Sequence, residues 1–257
     1  MSLKEDKLPL CVIVITYSFD EAFYNTICSI LSQTVLPKEI VLVVKASGDI
    51  GSDVLRHAKD LFIDLKIIQE RDSGIANAFN LGLAKAEAKF VNFLNAGDQY
   101  INKFALEIVR SNLVDGIPWF VYRRLDQRGN FVVAQKRFYS NASLFQFASG
   151  SVYLSHQATF YSADLIKDVG KYDEAHMMLG MDFDFNLRSW IKVAPVLYDI
   201  PLIVYDTTGV SSVKFFETLC VKLKIVAKSD LPLRVRAPAV LASSFKVCLG
   251  LCLRLLK

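Results

Sequence analysis

Apolar runs and amphipathic stretches alternate through the first hundred residues. Leu10–Tyr17, L-C-V-I-V-I-T-Y, carries an unbroken apolar run into Thr16, the pattern of a strand buried on both faces in a parallel sheet. Asp20 or Asn25 starts a helix that runs to Gln33, and Pro37 breaks the chain before a second strand, Ile40–Val44. Ser47-Gly48-Asp49 turns the chain into a helix over Asp53–Phe62, with Val54, Leu55, Ala58, Leu61 and Phe62 on one side. Ile67 and Ile68 end a third strand. Asp72-Ser73-Gly74 turns it into a helix over Ala76–Ala86, and Phe90–Leu94 is a fourth, buried strand. Strands alternating with helices in this way predict an α/β sheet built by right-handed parallel crossovers.

Beyond Asn102 the rhythm changes. A helix runs to about Leu113, and Trp119–Leu125 with Asn130–Ala134 reads as a hairpin around Asp126-Gln127-Arg128-Gly129. Ser155–Tyr161 reads as a strand, Asp182–Lys192 as a helix, and Val196–Tyr205 as a last strand interrupted by Pro201. The remaining residues form two basic amphipathic segments. On a helical wheel Phe216, Leu219, Leu223 and Val226 share one face, and Lys214, Lys222, Lys224 and Lys228 the other. After Pro232 and Pro238 a second segment gathers Ser243, Lys246, Arg254 and Lys257 into one stripe.

Charge sharpens that division. The 257-residue chain has a net charge of +4, yet residues 1–206 carry 21 basic and 24 acidic side chains while residues 207–257 carry nine basic and two acidic. We therefore expect a body over 1–206 and a separate basic amphipathic helical tail over 207–257. The tail fits a helix lying in a membrane interface. Packing on the body or in an oligomer is the alternative. Lys246 and Arg254 interrupt the apolar run and disfavour a transmembrane span. Basic residues interleaved with aliphatic ones, without aromatic platforms, argue against nucleic acid as a partner. Five scattered cysteines make no zinc or disulfide spacing, Cys11 and Cys28 reading as buried thiols. With an amino-terminal segment that lacks an apolar signal core, this points to a cytoplasmic protein attached peripherally to the inner face of the membrane.

The chemistry gathers where strands end. Asn95-Ala96-Gly97-Asp98 puts a carboxylate on a turn at the carboxyl end of the fourth strand, where ligands bind in open α/β sheets. Asp72-Ser73-Gly74-Ile75, then Asn80-Leu81-Gly82, then an apolar strand running into Leu94-Asn95-Ala96-Gly97-Asp98, resembles the family 2 inverting glycosyltransferases of the GT-A fold. Leu10–Tyr17, Ser29–Gln33, Glu39–Val44 and Gly180–Arg188 resemble further segments of that family in the same order, over roughly residues 8 to 205.

That resemblance implies a mostly parallel central sheet flanked by helices, a nucleotide-sugar donor, most simply a UDP-sugar, and a divalent cation, Mg²⁺ or Mn²⁺. It implies donor contacts at Thr16, Tyr17, Asp72, Asn95 and Asp98, with Asp98 as the metal ligand, and acceptor contacts at His156 and Gln157. Asp182 matches the catalytic carboxylate of the family's acidic helix, and the acceptor resembles a bacterial surface glycan on a polyprenyl diphosphate carrier. Asp184 pairs with Arg188 four residues on. Four positions depart from the family pattern. Asn95 and Gly97 replace the usual Asp-Xaa-Asp acids, Met181 replaces a glutamate, and Lys45 stands where acidic residues usually meet the base. A sugar nucleotidyltransferase is one alternative, although Thr16–Asp20 lacks the glycine-rich loop of that class. A decayed, membrane-bound transferase-like scaffold is the other.

Overall fold

The computed structural model describes residues 7–45, 50–71, 74–114, 116–131, 142–176, 179–207 and 215–255. The first half alternates as the pattern requires: β1 (Leu8–Thr16), α1 (Glu21–Leu31), β2 (Pro37–Val44), α2 (Ser52–Asp60), β3 (Asp64–Gln69), α3 (Ile75–Leu83) and β4 (Phe90–Asn95). A two-residue strand, β5 (Gln99–Tyr100), leads into α4 (Ala105–Val114). Then come β6 (Trp119–Asp126), α5 (Leu144–Ala148), β7 (Thr159–Ser162), α6 (Ala163–Val169), α7 (Met181–Lys192) and β8 (Val196–Tyr205). Two helices close the chain, α8 (Phe215–Lys228) and α9 (Leu233–Leu255).

The strands form one mixed eight-stranded sheet in the order β3-β2-β1-β4-β7-β6-β8-β5. β3, β2, β1 and β4 pair in parallel, β7 runs against both β4 and β6, and β6 is parallel to β8. Side chains alternate across each strand, so β1 sends Leu10, Val12 and Val14 to one core and Cys11, Ile13 and Ile15 to the other. The first core lies with Phe23, Ile27 and Ile30 of α1 and Leu106 and Val109 of α4. The second includes Ala76 and Phe79 of α3, Phe183 and Phe185 of α7, and Ile225 and Val226 of α8.

Several expectations change in detail. Asp20, not Asn25, caps α1: its Oδ1 accepts from the Phe23 amide at 3.0 Å. Pro37 opens β2 instead of preceding it, pairing with Leu8 at the end of the ladder. Of the apolar side of α2 only Ala58 is buried within the helix, and Leu55 and Phe62 are exposed. Cys28 is exposed, whereas Cys11 is buried. Residues 155–158 form a turn before β7, because Thr159 Oγ1 and the Thr159 and Ala158 amides bond back to His156 and Ser155 carbonyls instead of to a neighbouring strand. On the far side of the 126–129 turn only Phe131 bridges back, to Leu125, and residues 132–141 lie outside the described residues.

The tail packs differently from its wheel. Val226 and Ile225 are buried in the second core, as are Leu231 and Ala239 beyond them. Lys222, assigned to an outward polar face, turns inward over the rings of Tyr153 and Phe183. Lys246 does the same, its Nζ donating to the Ser149 carbonyl at 2.6 Å. Ser243 is buried, and Leu233, Leu241 and Phe245 face solvent. Ser243 and Lys246 of the expected outer stripe thus lie at the seam to the body, Lys224 and Lys228 stay exposed, and the side chains of Arg254 and Lys257 lie outside the described residues. Pro238 sits inside α9 without ending it. Among the described residues no helix is long and apolar enough to cross a membrane.

Candidate active site

Strand direction assembles the site. β7 is antiparallel to both β4 and β6, so β6 and β8 point the same way as β1 and β4. One edge of the sheet therefore collects Thr16, Lys45, the Asn95–Asp98 turn, Arg124, Tyr205-Asp206 and, at the entry to β7, His156-Gln157. Residues more than a hundred positions apart in sequence become neighbours there.

The 95–98 turn is held from within. Asp98 is 1% exposed; its Oδ2 accepts from the Asn95 amide at 3.2 Å and its Oδ1 from the Asp206 amide at 3.1 Å. One carboxylate thereby ties the end of β4 to the end of β8. Burial pushes its pKa up to about 7, opposed by those two N–H bonds and by the charge of Arg124. Gly97 has φ +102°, and a Cβ there would lie 2.7 Å from Asp206 Oδ2, so only glycine admits the Asp206 carboxylate this close. Asp206 was not singled out in the sequence. Its only signal was its place one residue past the last strand, and only the parallel β6–β8 pairing brings that strand end to this edge.

Among the described residues no group of three or more His, Cys, Asp or Glu gathers as a metal site. The turn nevertheless suits an oxygen-seeking cation. Asn95 Oδ1 is buried without a hydrogen-bond partner among the described residues, the Asp98 carboxylate accepts from the amide of the same residue, and the Asp206 carboxylate approaches Gly97 of the same turn. Each Asp98 oxygen keeps a second lone pair after accepting its N–H.

Asp182 stands in the first turn of α7, after Gly180 at φ +78°. Tyr153 donates to its Oδ2 at 3.2 Å and the Phe183 amide lies 2.8 Å from its Oδ1. Gly180 is also a packing requirement: a Cβ there would come 2.8 Å from Val221 Cγ1 and 3.1 Å from Ile225 Cδ1 of α8. The start of α7, which carries Asp182, thus rests directly on α8. Arg124 lies between the two carboxylate centres. It donates to Gln157 Oε1 at 3.2 Å, packs 3.7 Å from the Tyr205 ring centre and 5.0 Å from that of Tyr153, and its charge acts on both Asp98 and Lys222.

The other expected residues fall in different surroundings. Thr16 is buried and its hydroxyl donates to the Ser18 carbonyl at 2.6 Å, closing the turn after β1. Tyr17 is 57% exposed at the mouth, with Lys45 Nζ 5.1 Å over its ring. Asp72 lies outside the described residues. His156 is enclosed in an aromatic cage, stacked on Phe93 at 4.8 Å and sharing a 2.5 Å hydrogen bond with the Tyr172 hydroxyl. Burial pushes its pKa down to about 4. Gln157 is buried too, and it holds Arg124. Asp184 does pair with Arg188, Oδ2 to Nε at 2.8 Å, two residues on from Asp182 and so on the other side of the helix.

The Glycosyl transferase family 2 model matches residues 11–170, more than half of the chain and the part that carries β1 through α6. An uncharacterized glycosyltransferase of Mycobacterium tuberculosis is 28% identical over 209 residues, covering 78% of this chain and 77% of that protein. EpsJ, an uncharacterized glycosyltransferase of Bacillus subtilis, is 23% identical over 50% of this chain and 38% of its own. The fold is similar to that of TarS from S. aureus, with TM-score 0.69 and 19% identity over 90% of this chain. This chain spans 42% of that TarS chain and 70% of its 1–349 form; the latter has also been solved with UDP-GlcNAc. The mannosyltransferase PcManGT from Pyrobaculum calidifontis, solved with GDP-Man and Mn²⁺, matches with TM-score 0.58 and 17% identity over 96% of this chain and 76% of its own. This membership sets aside the nucleotidyltransferase alternative: the chain belongs to glycosyl transferase family 2 and is a glycosyltransferase with a GT-A-like fold.

Proposed function

We propose that the protein transfers a sugar, with inversion, from a UDP-sugar to a glycan carried on polyprenyl diphosphate at the inner face of a bacterial membrane. The observation that carries this reading is Asp182. It stands at the start of a helix, hydrogen-bonded to Tyr153, within the cluster that Arg124 links to the Asn95–Asp98 turn. In this reading Asp182 accepts the proton of the acceptor hydroxyl. The hydroxyl oxygen bonds to the anomeric carbon from the face opposite the diphosphate. The bond from that carbon to the diphosphate oxygen breaks, and the nucleoside diphosphate leaves with the electron pair.

Asn95, Asp98 and Asp206 would hold Mg²⁺ or Mn²⁺, which when bound supplies positive charge to the leaving diphosphate. Thr16, Tyr17 and Asp72 belong to the donor pocket in this reading, the exposed Tyr17 ring offering a stacking face to the base. TarS, solved with UDP and with UDP-GlcNAc, supports a UDP-linked donor. Gln157 acts on the acceptor side by holding Arg124, and His156 supports it from the aromatic cage behind. The outward face of α9, with Leu233, Arg234, Leu241 and Phe245 exposed, supports docking on an anionic lipid surface, flanked by exposed Lys224 and Lys228.

The test is Asp182→Asn, assayed with a UDP-sugar and a polyprenyl-diphosphate-linked acceptor. Turnover should fall about 10²–10⁴-fold while donor affinity holds, because the shape is kept and the base is lost. Retention of more than about a tenth of wild-type turnover would remove Asp182 from the role of base.

A further inference from the structure

The tail contributes a charge that the transferase reading leaves unused. Lys222 is half-buried on α8, its Nζ 4.8 Å from the Tyr153 ring centre and 5.2 Å from that of Phe183. Tyr153 is the same residue that donates to Asp182, and its ring is flanked on another side by Arg124 at 5.0 Å. Two cations thus share one aromatic ring. Lys222 makes no hydrogen bond or ion pair with any described residue, and among those residues its ammonium meets two π faces. Asp182 is the one described carboxylate whose charge is felt at Lys222, and it stands too far off for an ion pair.

Burial pushes Lys222 towards its neutral form; the charge of Asp182 opposes that push and the weaker charge of Arg124 adds to it. A further anion at this place would favour the charged ammonium. The lysine is not on a loose tail. Val226 is fully buried on the same helix, and the contact of Gly180 with Val221 and Ile225 locks that helix against the start of α7, which carries Asp182. A planar guanidinium and a mobile ammonium gathered around one ring each suit phosphate oxygens.

We propose that Lys222 and Arg124 form a phosphate-binding subsite beside Asp182, built jointly by α8 and β6. The subsite deepens the transferase reading and rests on it for its two sources of phosphate. These are the diphosphate of the nucleotide sugar, whose developing charge it would neutralise alongside the weakened 95–98 turn, and the diphosphate of a lipid-linked acceptor. The tail is then part of the reaction centre, and any membrane contact on its outer face stands next to the chemistry.

The experiment measures binding by calorimetry of inorganic pyrophosphate, UDP and farnesyl diphosphate to the full chain and to Lys222→Met, Lys222→Gln and Lys222→Arg. The two neutral variants should bind pyrophosphate about tenfold more weakly, as loss of a charge-assisted hydrogen bond implies, and the arginine variant should recover most of the loss. A parallel loss on UDP assigns the subsite to the donor, and a loss on farnesyl diphosphate without one on UDP assigns it to the acceptor. If the wild type does not bind pyrophosphate, or the folded neutral variants bind all three probes as tightly as it does, the subsite is wrong. Failure of the transferase reading looks different: the probes bind through Lys222, yet no sugar moves from any UDP-sugar.

Discussion

Ending the chain at residue 206 should unfold the body, not merely detach it from a surface. The truncation follows the boundary between the acidic body and basic tail. It removes Ile225, Val226 and Leu231, which are 5%, 0% and 3% exposed and belong to the core under α7. Full burial of such side chains is worth about 1.5–3 kcal/mol each, so these three account for roughly 5–9 kcal/mol. The truncation also uncovers Phe183 and Met181 and leaves the Ser149 carbonyl without the Lys246 ammonium. Whole domains of this size are stable by only about 5–15 kcal/mol. The loss is of the same order as the total. Urea unfolding followed by far-ultraviolet circular dichroism should therefore show a truncate with no cooperative transition, or one whose midpoint falls below half that of the full chain. A truncate that unfolds cooperatively at the full-length midpoint would refute the reasoning and restore the picture of a separable tether.

Gly97→Ala should lower the thermal midpoint and weaken donor binding together, because positive φ costs a side chain about 1–2 kcal/mol and the new methyl displaces Asp206; unchanged values in both assays would count against that packing. The depressed pKa of His156, about 4 against 6.5 in the unfolded chain, predicts that its contribution to stability, present above pH 6.5, is lost as pH falls to 4, by about 1.4 kcal/mol per pH unit at most. Asp98, raised by burial, works in the opposite direction, so the measurement compares urea midpoints of the wild type and His156→Gln at pH 7.5 and 5. The gap between them should narrow at the lower pH, and a constant gap would place the titration elsewhere.

Local pattern alone determined the first half of this protein. The apolar run into Thr16, the strand Phe90–Asn95 and the helix between Ile75 and Leu83 follow from side-chain period, and period is a property of neighbours in sequence. The order of motifs around Asn95–Asp98 and Asp182 likewise identified the family, because each motif is a short local segment. What the sequence could not show was which strand ends meet. Asp206 became part of the 95–98 turn only because β8 runs parallel to β6 and Asp98 takes its backbone N–H. Gln157 became the partner of Arg124, and His156 entered an aromatic cage, through pairings across many tens of residues. The tail marks the limit most clearly. Four residues apart, Lys222 and Val226 occupy neighbouring positions on one side of the helix, and a wheel does not report which side meets solvent. Tertiary packing decided that: burying Val226 and Ile225 against the core swung Lys222 over Tyr153, and Lys246 onto Ser149, while Leu241 and Phe245 were left outside. Periodicity fixes relative orientation within an element, whereas only contact with the rest of the chain fixes which way the element faces.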